Sequence, residues 1–370
     1  MDSPPHVIIV SRASRGGHPL YCAELARALA GEGARVGLMQ PAAAFDDIEP
    51  KLGDLPIERH EIPAIDSGWK RQELAIAKTL VALRGPGLVI FEDTSPLRAV
   101  LLSMLKARTS WDLASMVHNT RPHSRSRRAR FRHQLGMLAL AVPHRVLVHN
   151  DRQRQEISSY RLNRSSRIDV VPHGVWTDLM VDRDDGTAAS KRDGSRLLVF
   201  GVMRDNTGLD KLVELVPRLE ADFPDLHVSV IGKPSSEGVE AVLAVLGSMK
   251  AVTVRSEFVD ESEISSIFDA HDFLLLPYEN YSSESGVLMQ AIAYGLPVIT
   301  AGHTSISERV AELGLGPNPT GSLYEQIETA LNAGPGTRSE WIAKIDLAAS
   351  NLTWVRQAQI ILDGRPFQDR

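Results

Sequence analysis

Short apolar runs punctuate the chain, and stretches long enough for amphipathic helices separate them. His6–Val10 is compact, apolar and rich in β-branched residues, which predicts a buried strand. The loop Ser-Arg-Ala-Ser-Arg-Gly-Gly follows at 11–17. Pro19 suits the first turn of a helix, and Cys22, Leu25, Ala26 and Leu29 then recur on one face. Gly31 or Gly33 stops that helix, and 35–39 predicts the next strand. Further apolar runs at 88–91, 113–117, 146–148 and 168–171 continue the alternation. This is the signature of βαβ units and of a parallel, doubly wound sheet.

At 182–194 the character changes to Asp-Arg-Asp-Asp-Gly, small residues and Lys-Arg-Asp-Gly, which predicts a linker or surface loop. A second alternating series follows at 197–200, 228–231, 252–254, 273–276 and 298–300. The expected fold class is α/β, with two Rossmann-like doubly wound domains and a cleft between them. The expected boundaries are 1–180 for the first domain and 195–340 for the second. A helical tail at 341–370 is expected to pack back toward the first domain.

Composition narrows the function classes. A chain of 370 residues suits about two domains. Its net charge of −5 supplies no global basic field for nucleic acid. Cys22 is the sole cysteine, so an intrachain disulfide and a cysteine-based metal cluster are both excluded. No run approaches the roughly 18 apolar residues of a membrane span, and the N-terminus lacks a basic signal-peptide region. A cytoplasmic location, with peripheral membrane binding left open, is the expectation.

Neither G-x-G-x-x-G nor the G-x-x-x-x-G-K-[ST] phosphate loop is present. Gly16 and Gly17 still precede a helix, where backbone N–H groups can meet a phosphate; the alternative is a plain tight turn. Several segments taken in order resemble one family. Arg15-Gly16-Gly17-His18 opens the first half, His118-Asn119 follows a strand, and Val171-Pro172-His173-Gly174-Val175 closes it. Phe200-Gly201-Val202-Met203-Arg204 opens the second half. Leu276-Pro277-Tyr278, then Glu284-Ser285-Gly286-Val287-Leu288-Met289-Gln290-Ala291, then Tyr294-Gly295-Leu296-Pro297-Val298 complete it. This order is similar to that of the family-four retaining, nucleotide-sugar-dependent glycosyltransferases of GT-B fold, over nearly the whole chain.

The resemblance implies a hexosyltransferase in polysaccharide or glycoconjugate synthesis. It takes a UDP- or GDP-hexose as substrate, uses no cofactor and no metal, and acts on a glycan or lipid-linked acceptor. It implies that Arg204 grips the donor diphosphate and that Gly286, Val287 and Leu288 offer N–H groups to it. Glu284, Ser285 and Gln290 belong to the same donor site, Gln290 facing a ribose hydroxyl. His118 and Arg204 are the catalytic candidates, His118 contacting the transferred sugar. Gly16 and Gly17 join the donor site, and His173 and Thr207 are further candidates near the ligands. The sequence also departs from the family pattern. Thr207 stands where a lysine is usual before Gly208, and Gln290 replaces the second glutamate of a spaced pair. A non-catalytic sugar-nucleotide-binding protein is therefore the competing class, and an epimerase a third. Each residue also has a plainer role open to it: surface arginine for Arg204, helix cap for Ser285-Gly286, helix surface for Gln290.

Asp260 reads as a helix N-cap, and 182–185 as a solvated charge run rather than a metal-binding D-x-D. Glu92-Asp93 sits at a strand end without further support. From Asp112 to Asp151 there is no acidic residue between, while Arg121, Arg125, Arg127, Arg128, Arg130, Arg132 and Arg145 crowd the stretch. Phe131, Leu135, Leu138 and Val142 are expected to form a buried helix face. Arg121, Arg125, Arg128 and Arg132 then form a stripe facing solvent, an anionic acceptor or an anionic membrane surface. Nucleic acid is not expected, because stacking aromatics are scarce there.

Overall fold

The computed structural model describes residues 5–14, 17–64, 68–83, 85–93, 95, 97–120, 127–159, 167–176, 194–279, 281 and 283–364. Gly16, Arg121, Arg125 and the 182–185 charge run lie outside them, as do the side chains of Arg128 and Arg132. The chain divides into two compact units, Met1–Gly174 with Thr353–Arg370, and Val175–Leu352.

The first unit alternates strands and helices. These are β1 (His6–Val10), α1 (Gly17–Gly31), β2 (Arg35–Pro41), α2 (Ala42–Leu52), β3 (Glu58–Ile62), α3 (Trp69–Leu83), β4 (Gly87–Phe91), α4 (Arg98–Arg108), β5 (Trp111–Val117), α5 (Arg127–Leu138), β6 (Arg145–Val148), α6 (Asp151–Ser159) and β7 (Arg167–Val170). The seven strands form one parallel sheet in the order β3-β2-β1-β4-β5-β6-β7. Its central strands are buried on both faces, which is why they read as continuous apolar runs. β3 escaped the sequence reading because it is an edge strand, Glu-Arg-His-Glu-Ile, with only Ile62 fully buried.

The second unit runs β8 (Arg196–Phe200), α7 (Leu209–Asp222), β9 (His227–Ile231), α8 (Glu237–Gly247), β10 (Val252–Arg255), α9 (Glu261–Asp269), β11 (Phe273–Leu276), α10 (Gly286–Tyr294), β12 (Val298–Thr300), α11 (Ser305–Leu313), α12 (Leu323–Leu331) and α13 (Pro335–Asn351). Its parallel sheet has the order β10-β9-β8-β11-β12. Apolar side chains cover both faces of this sheet, Leu198, Leu274 and Leu276 on one and Leu197, Val199 and Leu275 on the other. Side-chain caps start its helices: Ser285 on α10, Thr304 on α11, Ser322 on α12, and Asp260 on α9.

The tail expected at 341–370 divides instead. Trp341, Ile345, Ala348 and Ala349 of α13 are core residues of the second unit. Only α14 (Trp354–Asp363) joins the first unit, where it packs along α1. Tyr21 of α1 accepts a hydrogen bond from Gln357, and Arg145 of β6 donates to the Ile361 carbonyl at 2.8 Å and to Asp169 at 2.7 Å.

The expected apolar face of the arginine-rich helix is corrected in part: Val142 packs against the first unit's core and Leu135 is half-buried. Phe131 is 61% exposed and Leu138 45%, whereas Met137 and Leu140 are buried. The helix ends at Leu138 and passes into a 3₁₀ turn, Ala139–Ala141. The tighter turn shortens the repeat from 3.6 residues to about three, so positions 137 and 140 face inward together.

Candidate functional site

In a parallel sheet, residues that follow adjacent strands stand side by side about 4.8 Å apart, at the edge where ligands of such folds bind. In the first unit Glu92 follows β4, His118 follows β5, His149 follows β6, and His173 lies three residues beyond β7. The contacts connect them. Glu92 Oε2 and His118 Nε2 are 2.6 Å apart, and His118 Nδ1 and His149 Nε2 are 3.0 Å apart. His149 Nδ1 lies 2.9 Å from the Val171 carbonyl. His18, on the first turn of α1, meets the His118 ring edge-on at 4.7 Å, and Tyr21 does so at 4.8 Å. Gln153 holds both ends, donating to the His118 carbonyl and accepting the His149 N–H.

The protons of this chain follow from its end. A carbonyl only accepts, so His149 Nδ1 carries a proton and its Nε2, in the neutral ring, accepts one from His118 Nδ1. Burial first, then the surrounding imidazoles, holds His118 well below its usual range. Burial lowers His149 to about 4 despite its carbonyl bond, and burial with the His149 charge lowers His173 to about 3. Burial, reinforced by the neighbouring Asp93 charge, pushes Glu92 well above the carboxylate range. The Glu92–His118 contact is therefore a neutral hydrogen bond donated by the protonated carboxyl, not an ion pair. Asp93 itself is fixed by Arg12 and by Arg98, whose guanidinium is buried over the Phe91 ring and shared with Glu73.

In the second unit the ends of β8, β9 and β11 converge through glycines. Gly201, Gly208 and Gly232 all have positive φ. A Cβ on Gly232 would lie 1.8 Å from the Gly201 carbonyl oxygen, and one on Gly208 would lie 2.0 Å from that of Pro277. Arg204, exposed beyond β8, is near enough to Tyr278 and Tyr281 in the loop entering α10 for its charge to act on both. The rings of Tyr278 and Tyr281 stack at 4.9 Å. Burial raises both phenols, opposed on Tyr278 first by the Ser285 hydrogen bond and then by the Arg204 charge.

One expected donor residue, Leu288, and two further candidates, Thr207 and His173, are held by structural contacts. Thr207 is 3% exposed and its hydroxyl accepts the Arg204 N–H at 2.8 Å, so it closes a turn rather than facing a ligand. The Leu288 N–H goes to Ser285 Oγ at 3.3 Å, and the Leu288 side chain lies in the core. Only the Gly286 and Val287 N–H groups remain open among the described residues, and a Cβ at Gly286 would meet nothing within 4 Å. His173 is buried with its Nδ1 proton on the Gly174 carbonyl at 2.7 Å, a structural placement. Glu284 and Gln290 are half-buried beside and along α10. Gly17 opens α1 at the surface of the first unit. The sequence contained a sign of the histidine row that went unused: Val-His-Asn occurs at 117–119 and again at 148–150, each time at a strand end.

Residues 194–333 match the family described as Glycosyl transferases group 1. The matched stretch lies within the second unit. The chain is 28% identical over 205 residues to the D-inositol 3-phosphate glycosyltransferase of Mycobacterium sp. (strain KMS), covering 52% of this chain and 46% of that one. It is 24% identical over 212 residues to the Lipopolysaccharide glucosyltransferase WaaG of Escherichia coli (strain K12), covering 53% and 55%. The chain thus spans about half the length of the curated relatives it matches. The crystal structure of Anabaena Alr3699/HepE in complex with UDP and glucose superposes with a TM-score of 0.70 at 15% identity, covering 97% of this chain and 98% of that one. The two parallel-sheet units thus match the GT-B fold.

Proposed function

We propose that this protein is a hexosyltransferase, moving a hexose from a UDP- or GDP-linked donor to a glycan or lipid-linked glycan with retention. One observation carries the reading: within the matched region, the exposed Arg204, which has no ion pair among the described residues, is near enough to Tyr278 and Tyr281 for its charge to act on both, in the loop that leads to the Ser285-capped N-terminus of α10. Departure of a nucleoside diphosphate leaves negative charge on the phosphates. The Arg204 guanidinium and the Gly286 and Val287 N–H groups stabilise that charge, so the leaving group needs no metal. Gln290, one turn further on, suits a ribose hydroxyl. His118, both of whose ring nitrogens are held, by Glu92 and by His149, is assigned to the transferred sugar through its ring edge. The HepE complex and the relatives named as glycosyltransferases support the donor class.

Thr207 favours a second reading, a non-catalytic nucleotide-sugar binder, since the position usual for a second cation is turned inward. Incubation with UDP- and GDP-hexoses, read by thermal shift for binding and by mass spectrometry for transfer or hydrolysis, separates the two. Binding with neither transfer nor hydrolysis would leave the binder. A cytoplasmic enzyme at an anionic membrane surface is the setting we infer, from the arginine-rich stretch around α5.

A further inference from the structure

The Glu92–His118 contact has an unusual chemistry. The hydrogen-bond chain from the Val171 carbonyl through His149 leaves His118 Nε2 with its lone pair, directed at a carboxyl oxygen 2.6 Å away. Two acceptors at that distance need something positive between them. In the metal-free protein it is a single proton. The other Glu92 oxygen, Oε1, is buried and has no hydrogen-bond partner among the described residues. One nitrogen of His18, one oxygen of Glu92 and one nitrogen of His118 all lie within 4.8 Å of one another. His18 is half-buried, so the group has a side open to solvent.

We propose that His18, Glu92 and His118 form a binding site for a late divalent transition metal of the Zn²⁺ class. Two imidazoles and a carboxylate are borderline donors, which suit Zn²⁺ or Co²⁺ better than the oxygen-seeking Mg²⁺ or Ca²⁺. Three protein ligands leave a fourth position for water or a substrate oxygen. His149 is the outer partner such a site requires. It accepts the His118 Nδ1 proton and thereby directs the Nε2 lone pair at the ion. On binding, the metal takes the place of the shared proton, which leaves to solvent, and the ligand atoms close by side-chain rotation to about 2.0–2.2 Å from the ion. The site differs from the donor group around Arg204, which belongs to the other unit.

The probe is Co²⁺ added to the full chain without a polyhistidine tag, followed by its visible d–d bands, with Zn²⁺ then added as competitor. One Co²⁺ per chain, with bands displaced by Zn²⁺, is the expected result. Glu92→Gln and His18→Gln should each weaken binding at least tenfold, and His149→Phe should weaken it about 10- to 100-fold through the outer partner. His18→Gln keeps the test decisive if the buried Glu92→Gln variant does not fold. Absence of one-to-one binding at millimolar Co²⁺ would overturn the site. So would unchanged bands and affinity in His18→Gln, which would place the ion elsewhere. Neither readout depends on sugar transfer, so a failed transferase assay leaves the metal question intact.

Discussion

At the scale of single residues, Arg204 and Thr207 divide the work of one turn. Arg204 is exposed and carries no ion pair among the described residues, while Thr207 holds the backbone that presents it. Arg204→Ala should weaken UDP or GDP binding by about 1.5–3 kcal/mol, the range for a charge-assisted hydrogen bond, with little change in stability. Titration calorimetry measures this, and unaltered affinity for both nucleotides would remove Arg204 from the site. Thr207→Lys tests whether restoring the family's usual cation improves the site. The buried position argues against it. The substitution removes the 2.8 Å bond to the Arg204 N–H and forces a long chain into a turn that abuts Pro277. We expect a loss of about 1–3 kcal/mol in stability and weaker diphosphate binding. Tighter binding at unchanged urea stability would show that a lysine reaches the ligand after all. Sequence alone distinguishes these two roles poorly, because the motif gives position along the chain and not the side on which a threonine hydroxyl lies.

At the scale of elements, adjacent strand ends turn four distant residues into one titrating unit. His118, His149 and His173 are neutral in the folded state because burial depresses them. An unfolded chain protonates them near pH 6.5. Their contribution to stability is therefore complete above pH 6.5 and is lost as pH falls toward the folded values, about 4 for His149 and about 3 for His173. Glu92 acts oppositely. Its raised value contributes stability that is complete below the unfolded value near 4.5 and declines as pH rises toward the folded one. Three histidines outweigh one carboxyl, so stability should fall between pH 6.5 and 4.5 by about 1.4 kcal/mol per pH unit for each net proton. Urea melts across that window measure the slope, and His149→Phe should flatten it. A flat wild-type profile would contradict the neutral row. The strands themselves were legible because buried parallel strands must be apolar throughout. β3 was not, since only one of its residues is fully buried, and the junction of the histidines is a property of strand order, which no local pattern records.

At the scale of the whole molecule, a chain of net charge −5 carries its densest positive stretch around α5, in the first unit. The overall charge repels an anionic bilayer, so any attraction has to be local. Among the described residues no helix is long and apolar enough to cross a membrane. What α5 does offer is Phe131, 61% exposed, among arginines that have no acidic neighbour in sequence. An exposed aromatic set in basic residues suits an interface of headgroups and acyl chains. The two contributions separate by salt. Each arginine near an anionic surface contributes about 1 kcal/mol, which fades as the Debye length shrinks from about 10 Å at 0.1 M to about 3 Å at 1 M. The Phe131 contribution does not depend on salt. Replacing Arg125, Arg128 and Arg132 with Gln should cut binding to phosphatidylglycerol vesicles about a hundredfold at low salt and little at high salt. Phe131→Ser should lower binding at both. Nucleotide binding should be unchanged in every variant, because Arg204 and Gly286 belong to the other unit. Co-sedimentation at the two salt concentrations is the measurement. Equal partitioning of wild type and the triple variant at low salt would leave the arginines as a solvated face or as contacts for a soluble anionic acceptor.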